Sequence, residues 1–167
     1  MKRSTIKLTV LLFISAATQF NFASTPEKIS LFPEGERLVY ARLMEAFHHN
    51  QLNEVVRQRQ LLERNYPKSV HLDNAYYLTG MLEFQSNRLG EALKTFAVVK
   101  DRYVKGNKRP SALYGIAMTY ERLNLAPQAH RVFERIMQEY PGSSEAQRTW
   151  MHLQLEKEKS KSAKMKG

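Results

Sequence analysis

The side chains that could hold a metal ion stand together near residue 48. His48 and His49 are adjacent, and Glu45 lies four residues before His49. On a helix, adjacent side chains point about 100° apart, so the two histidines do not share a ligand face. Glu45 and His49 together supply only two ligands, which is too few for a metal site. We predict no metal site and interpret these side chains as solvated surface residues.

Sequence signatures of other chemistry are missing. The remaining histidines, His71, His130 and His152, are isolated from one another in the sequence. No serine stands in the G-x-S-x-G turn that exposes a nucleophile, and no glycine-rich loop could hold a phosphate. A pair of catalytic carboxylates leaves no such signature, so that alternative stays open here. We predict a non-catalytic protein, with no catalytic residue and no cofactor.

The composition is that of one ordinary globular domain. The chain has 167 residues, of which 43% are hydrophobic and 25% charged, so it can bury a core. Part of its formal charge of +10 lies in the first seven residues and in five lysines near the C-terminus. The middle lacks the dense basic and aromatic patch of a nucleic-acid binder, so we expect no nucleic-acid partner. The absence of cysteine excludes disulfides and a lipidated cysteine.

Residues 1–23 are predicted to be a signal peptide. "MKRSTIK" is basic, and the apolar run "LTVLLFISAA" is shorter than the roughly 18 residues of a membrane span. A peptidase could cut after Ala23, but Asn21 stands where a small residue is preferred, so an uncleaved anchor stays open. Export predicts a periplasmic protein, with secretion as the alternative. Residues 24–35 are predicted to be an irregular lead-in to the fold.

The sequence repeats itself with a period of 37 residues. Each copy contains two runs of apolar residues at helical spacing, separated by a short polar turn, as in "DNAYYLTGMLEFQS" and "EALKTFAVVKDRY". Such a repeat is typical of helix pairs stacked as a solenoid. We therefore predict an all-α solenoid of about three helix pairs over residues 36–156. The columns of matching residues are Tyr40, Tyr77 and Tyr114; Met44, Met81 and Met118; Asn50, Asn87 and Asn124; and Tyr66, Tyr103 and Tyr140.

The pattern resembles the tetratricopeptide repeat (TPR) family. Members have a small residue in the first helix and, in the second, an alanine four residues before a large aromatic residue. The resemblance covers about residues 36–156, although the period of 37 exceeds the family's usual 34. The first copy departs most, with Leu43 in the small-residue column and Arg59 in the aromatic column. The matching residues are Gly80, Ala92 and Phe96 in the second copy and Ala117, Tyr120, Ala129, Phe133 and Pro141 in the third.

A seventh helix is predicted after Pro141, as half of a further repeat. Ser144 and Gln147 have the spacing of a capping box, and Trp150 falls in the column of Val39, Tyr76 and Leu113. We expect this helix to cap the stack and Trp150 to be largely buried against the last pair. Residues 157–167 are rich in lysine and poor in apolar residues, which predicts a disordered tail.

The resemblance implies a scaffold that binds a peptide or helix of another protein in a concave groove lined by the first helices. Among exported bacterial proteins, the chain is loosely similar to the repeat domain of the Tol-Pal-associated cell-division coordinator and to outer-membrane assembly proteins of the BamD type. We therefore predict a protein-protein interaction adaptor of the bacterial cell envelope. The oligomeric state stays open.

The predicted groove lies beside the buried seam of the first helices. Tyrosine combines a large ring with a hydroxyl, and methionine adapts its shape to different ligands. Two alternatives stay open: these side chains could pack on one another or on the lead-in, or the lysine tail could tether the protein to an anionic cell wall or membrane surface. The predicted groove residues are Tyr40, Met44, Phe47, Tyr77, Met81, Phe84, Tyr114 and Met118.

Overall fold

A computed structural model describes residues 35–165, which lie within one compact unit, Glu34–Gly167. The predicted signal peptide and the lead-in up to residue 34 lie outside the described residues. The described part contains seven α-helices and no β-strand. None of these helices has the length and apolar character needed to cross a membrane. The helices are α1 (Glu36–His48), α2 (Leu52–Asn65), α3 (Leu72–Gln85), α4 (Leu89–Arg102), α5 (Arg109–Arg122), α6 (Ala126–Glu139) and α7 (Ser144–Met165).

The helices pack in consecutive pairs: α1 with α2, α3 with α4, and α5 with α6. The first helices of neighbouring pairs also contact each other, α1 with α3 and α3 with α5, and α5 contacts α7. Within residues 35–165 the second helices make no such contacts with one another. The stack therefore curves towards the first helices, which line its concave face. The prediction of an all-α, TPR-like solenoid is confirmed.

The asparagines that recur every 37 residues form the turn between the two helices of each pair. They have φ angles of 54°, 59° and 57°, in the left-handed region that asparagine tolerates better than most side chains. The backbone N–H after each asparagine then reaches back to a carbonyl of the first helix and closes its last turn. These bonds run from Gln51 to Ala46 (2.9 Å), from Arg88 to Glu83 (2.8 Å) and from Leu125 to Tyr120 (2.8 Å).

The aromatic residue of the second helix fills the space between neighbouring pairs. Phe96 and Phe133 are both fully buried. A Cβ atom added to Gly80 would lie 2.7 Å from two ring atoms of Phe96, so only glycine lets the ring approach α3 this closely. Ala117, in the same column, is fully buried in the cluster that contains Phe133. The small residue of the first helix is therefore a packing requirement.

Arg59 occupies the aromatic position in the first pair. Its guanidinium carbon lies 4.3 Å from the centre of the Tyr76 ring, so a cation–π contact replaces ring packing. The Tyr76 hydroxyl donates to Glu63 Oε2 at 2.6 Å. Burial and the bond to Glu63 raise the pKa of Tyr76 to about 12, so this hydroxyl stays protonated at neutral pH. The departure from the repeat pattern is thus compensated by polar contacts.

Helix α7 covers the last pair, as its place in the repeat predicts. Ala146 and Leu153 pack on the cluster that contains Phe133. The helix cap is formed by Ser143 instead of Ser144: the Ser143 Oγ accepts a hydrogen bond from the Ala146 N–H at 3.0 Å. The chain therefore enters the helix one residue earlier than the capping-box spacing indicates.

The prediction that Trp150 is buried is wrong, because 55% of its surface is exposed. Its counterparts face the second helix of their own pair: Tyr76 packs in a cluster with α4 residues, and Leu113 packs in one with α6 residues. Within the described residues α7 has no second helix after it. The side chain at this position therefore lies open on the end of the stack.

The lysine-rich segment also differs from its prediction. The composition predicts a disordered tail from residue 157, whereas the structure continues α7 to Met165. Lysine, glutamate, alanine and methionine are good helix formers, and oppositely charged side chains one turn apart support a helix. Two such pairs form here, Lys159 with Glu156 at 3.6 Å and Lys161 with Glu158 at 3.2 Å.

Candidate peptide-binding groove

The eight residues predicted to line the groove are all half-buried. They lie on α1, α3 and α5, the helices of the concave face. Each side chain therefore contributes to packing and still presents part of its surface. The structure does not bring all eight into one site.

An apolar pocket of about 220 Å³ lies between α3 and α5, and we call it the central pocket. Phe96 of α4 and Gly115 of α5 also line it, together with Gln85, Ser111 and Arg148. Its five members from the predicted groove are Tyr77, Met81, Phe84, Tyr114 and Met118.

Gly115 lets the Phe96 ring approach helix α5 beside the central pocket. A Cβ atom at this position would lie 2.7 Å from two ring atoms of Phe96, so any larger residue would displace the ring. Gly115 and Gly80 thus contact the same buried ring from two neighbouring helices. Gly115 was not predicted as a site residue, since no other copy of the repeat has glycine at this position: the equivalents are Leu78 and Ala41.

Tyr40, Met44 and Phe47 do not line the central pocket. They pack against the core cluster formed by residues of α1, α2 and α3. The Tyr40 ring is stacked on His71 with 4.1 Å between ring centroids, and its hydroxyl accepts a hydrogen bond from the Asn74 side chain at 2.5 Å. For these three residues of the first copy, packing within the protein accounts for the observed contacts.

Three cations surround the aromatic side chains of the central pocket. The Arg148 guanidinium carbon lies 4.8 Å from the centre of the Tyr114 ring, and that of Arg122 lies 4.6 Å from the centre of the Phe84 ring. Lys108 Nζ lies 5.7 Å from the centre of the Tyr77 ring. The sequence pattern did not reveal these residues, because the preceding copy has no arginine or lysine at the equivalent positions, which are Ser111, Gln85 and His71.

Arg148 is held in place by a buried carboxylate. Its Nη2 donates to Glu145 Oε1 at 2.9 Å, and the same oxygen accepts from the Ser111 hydroxyl at 2.7 Å. Burial opposes ionisation of Glu145, but hydrogen bonds from Ser111 and Ser144 and the charge of Arg148 outweigh it and lower its pKa. The carboxylate is therefore ionised at neutral pH and fixes the guanidinium beside the pocket.

Tyr77, like Ser111 and Gln85, brings a polar group to the lining of the pocket. Burial raises the pKa of Tyr77, so its hydroxyl is protonated and can donate a hydrogen bond at neutral pH. The pocket thus combines an apolar cavity, a hydroxyl donor and nearby positive charge. This combination fits an apolar side chain followed or preceded by an acidic one.

The histidines considered as metal ligands lie elsewhere. His48 and His49 are exposed at the C-terminal end of α1. Among residues 35–165, no three histidine, aspartate or glutamate side chains are grouped so that they could hold a metal ion.

The third helix pair carries the family signature. Residues 111–143 match the tetratricopeptide repeat model. The match covers α5 from its third residue, all of α6 and the turn after it, and it supports a tetratricopeptide repeat protein. No curated protein matches the chain. Proteins with these repeats generally mediate protein-protein interactions and are generally non-catalytic.

Proposed function

We propose that the protein is a non-catalytic scaffold or adaptor that binds a peptide or helix of a partner protein in its concave groove. The observation that carries this proposal is the central pocket, in which tyrosine, methionine and phenylalanine side chains from two neighbouring first helices surround a cavity of about 220 Å³. Concave sites lined by apolar and aromatic side chains with a few placed polar groups are typical of binding sites. Tetratricopeptide repeats supply the same face for protein partners.

The charges beside the pocket define the chemistry of the ligand. Lys108, Arg122 and Arg148 lie within 6 Å of the aromatic rings that form the pocket. We expect the preferred ligand to insert an aliphatic or aromatic side chain between Tyr77 and Tyr114 and to carry aspartate or glutamate beside it. Electrostatic complementarity of this kind adds association rate and specificity, while the buried apolar anchor adds affinity.

The proposed setting is the bacterial cell envelope. It rests on the basic and apolar first segment of the sequence, which has the order of a signal peptide. The alternative function, a tether to an anionic cell-wall or membrane surface, has its own support. Four lysines lie in the exposed part of α7, at Lys157, Lys159, Lys161 and Lys164. Binding through these lysines would weaken steeply as salt is added, whereas binding in an apolar pocket would not.

Selection from a random peptide library on the immobilised protein tests the groove without knowledge of the partner. Selected peptides should combine an apolar residue with acidic residues. The double variant Tyr77→Ser, Met81→Ser should bind them at least about 30-fold more weakly, which corresponds to about 2 kcal/mol for a hot spot. Val70→Ser with Val104→Ser is the matched control, because these exposed apolar residues lie outside the pocket. Unchanged binding by the folded groove variant would refute the proposal.

A further inference from the structure

The open end of the stack carries a second apolar surface, distinct from the groove. A cleft of about 490 Å³ lies between the end of α6 and the start of α7, and we call it the end cleft. Met137 and Pro141 line one side of it, and Ala146, Gln147, Trp150 and Met151 line the other. More than half of the surface of Trp150 and of Met151 is exposed. The cleft is therefore apolar and unfilled by the described part of the chain.

The repeat shows which kind of element fits the end cleft. In the two preceding pairs, the residue equivalent to Trp150 packs on the second helix of its own pair. Among residues 35–165, no second helix packs beside α7 at the equivalent position. An added helix that runs antiparallel to α7 would cover the same position. The occupant predicted by the architecture is thus one further helix with an apolar stripe.

The lysines of α7 indicate which charge the added helix should carry. Lys157, Lys161 and Lys164 follow Trp150 by seven, eleven and fourteen residues, so they continue the face on which the tryptophan lies. Lys161 pairs with Glu158 at 3.2 Å, whereas Lys157 and Lys164 have no acidic partner among residues 35–165. The face is therefore apolar in its first half and basic in its second half.

We propose that the end cleft binds an amphipathic helix of a partner protein whose apolar stripe covers Trp150 and whose N-terminal half is acidic. An antiparallel helix brings its N-terminal half beside Lys157 and Lys164. Acidic residues also stabilise the first turn of a helix, and two of the three second helices described here begin in that way, with Glu54 in α2 and Glu91 in α4. A second copy of the chain fits less well, because it would place one lysine-rich α7 against another.

The single tryptophan gives a direct assay. Trp150 is the only tryptophan in the chain, so its emission reports on the end cleft alone. The probes are two synthetic helical peptides with the same leucine stripe, each held helical by a staple on its polar face. One peptide carries glutamates in its N-terminal half, and the other carries lysines at the same positions. Each is titrated into the full chain at low and at physiological salt.

The acidic peptide is expected to shift the Trp150 emission to shorter wavelength and to bind at least about tenfold more tightly than the basic one at low salt. Met151→Gln should weaken its binding at least tenfold, whereas Val70→Gln, at an exposed apolar residue outside the cleft, should not. Lys157→Glu with Lys164→Glu should reverse the preference between the two peptides. The groove variant Tyr77→Ser, Met81→Ser should bind the acidic peptide as the parent does, which separates this surface from the proposed groove.

Three results would overturn the proposal. The first is no emission shift, or equal affinity for the two peptides. The second is a shift without peptide that grows with protein concentration together with a doubled molecular mass, which would make a second copy the occupant. The third is a red shift on removal of residues 1–34, which would show that the chain's own N-terminal segment fills the cleft.

Discussion

Gly80→Ala is expected to destabilise the protein, although alanine is the better helix former. The new Cβ atom would lie 2.7 Å from two ring atoms of Phe96. Carbon atoms in contact are separated by about 3.5–4.0 Å, so the ring or helix α3 must move by about 1 Å. Phe96 is fully buried, and Gly115 of α5 approaches the same ring closely, so the ring is held between α3 and α5.

The magnitude follows from two opposing terms. Overpacking of a core costs about 1–3 kcal/mol, and replacement of a helical glycine by alanine returns about 1 kcal/mol. The net loss expected for Gly80→Ala is about 1 kcal/mol, or about 3 °C in the melting temperature of a chain of this size. Gly90→Ala is the matched control: it also lies in a helix, and an added Cβ meets nothing within 4 Å. It should stabilise the protein by about 0.4–1 kcal/mol.

Urea unfolding followed by circular dichroism measures both variants, and a double-mutant cycle identifies the cause. Phe96→Leu removes the ring atoms that the new methyl group would meet. In that background Gly80→Ala should lose its penalty, so the two substitutions should be coupled by at least about 0.5 kcal/mol. Stabilisation by Gly80→Ala in the parent, or an equal penalty in both backgrounds, would refute the packing account.

Two further predictions concern the end of the stack and a buried carboxyl. Trp150→Ala should reduce the free energy of unfolding by only about 1 kcal/mol, because 55% of the residue is exposed. Phe133→Ala should reduce it by about 3–5 kcal/mol, because that ring is fully buried. Similar losses for the two variants in thermal unfolding would contradict the placement of Trp150. Glu83→Gln should raise the urea midpoint at pH 7. Burial raises the pKa of Glu83, so the folded state disfavours the ionised form and loses stability as the pH rises through the folded pKa. The increase in urea midpoint should therefore vanish at a pH below the ordinary pKa range of glutamate. An increase that persists at that pH would count against this explanation.

The fold was predictable because the repeat makes every signal appear more than once. The asparagine column marks the turns, and the small residue that faces a large aromatic residue marks the helix contact. The left-handed φ angles of the asparagines and the close contact of Gly80 with Phe96 show that both signals report real structural constraints. Each helix pair satisfies its own backbone groups and packs on its neighbours, so local patterns determine most of the architecture.

Features without a repeated pattern could not be predicted in this way. Arg148, Arg122 and Lys108 reach the central pocket from positions at which the preceding copy has no arginine or lysine. Their proximity arises from the stacking of different helices. Trp150 was misplaced for the opposite reason: its column predicts burial, but the helix that would bury it is not part of the described chain. The helical lysine segment is stabilised by charge pairs that its composition alone does not reveal.

Methyl NMR of the methionines tests the proposed groove most directly. Met81 and Met118 line the central pocket, whereas Met137 and Met151 line the end cleft, so their methyl signals distinguish the two surfaces. A peptide selected for binding is titrated into protein with labelled methionine methyl groups. The proposed function predicts that the signals of Met81 and Met118 shift in proportion to the bound fraction, while those of Met137 and Met151 stay in place. Unchanged Met81 and Met118 signals with the peptide bound would contradict it.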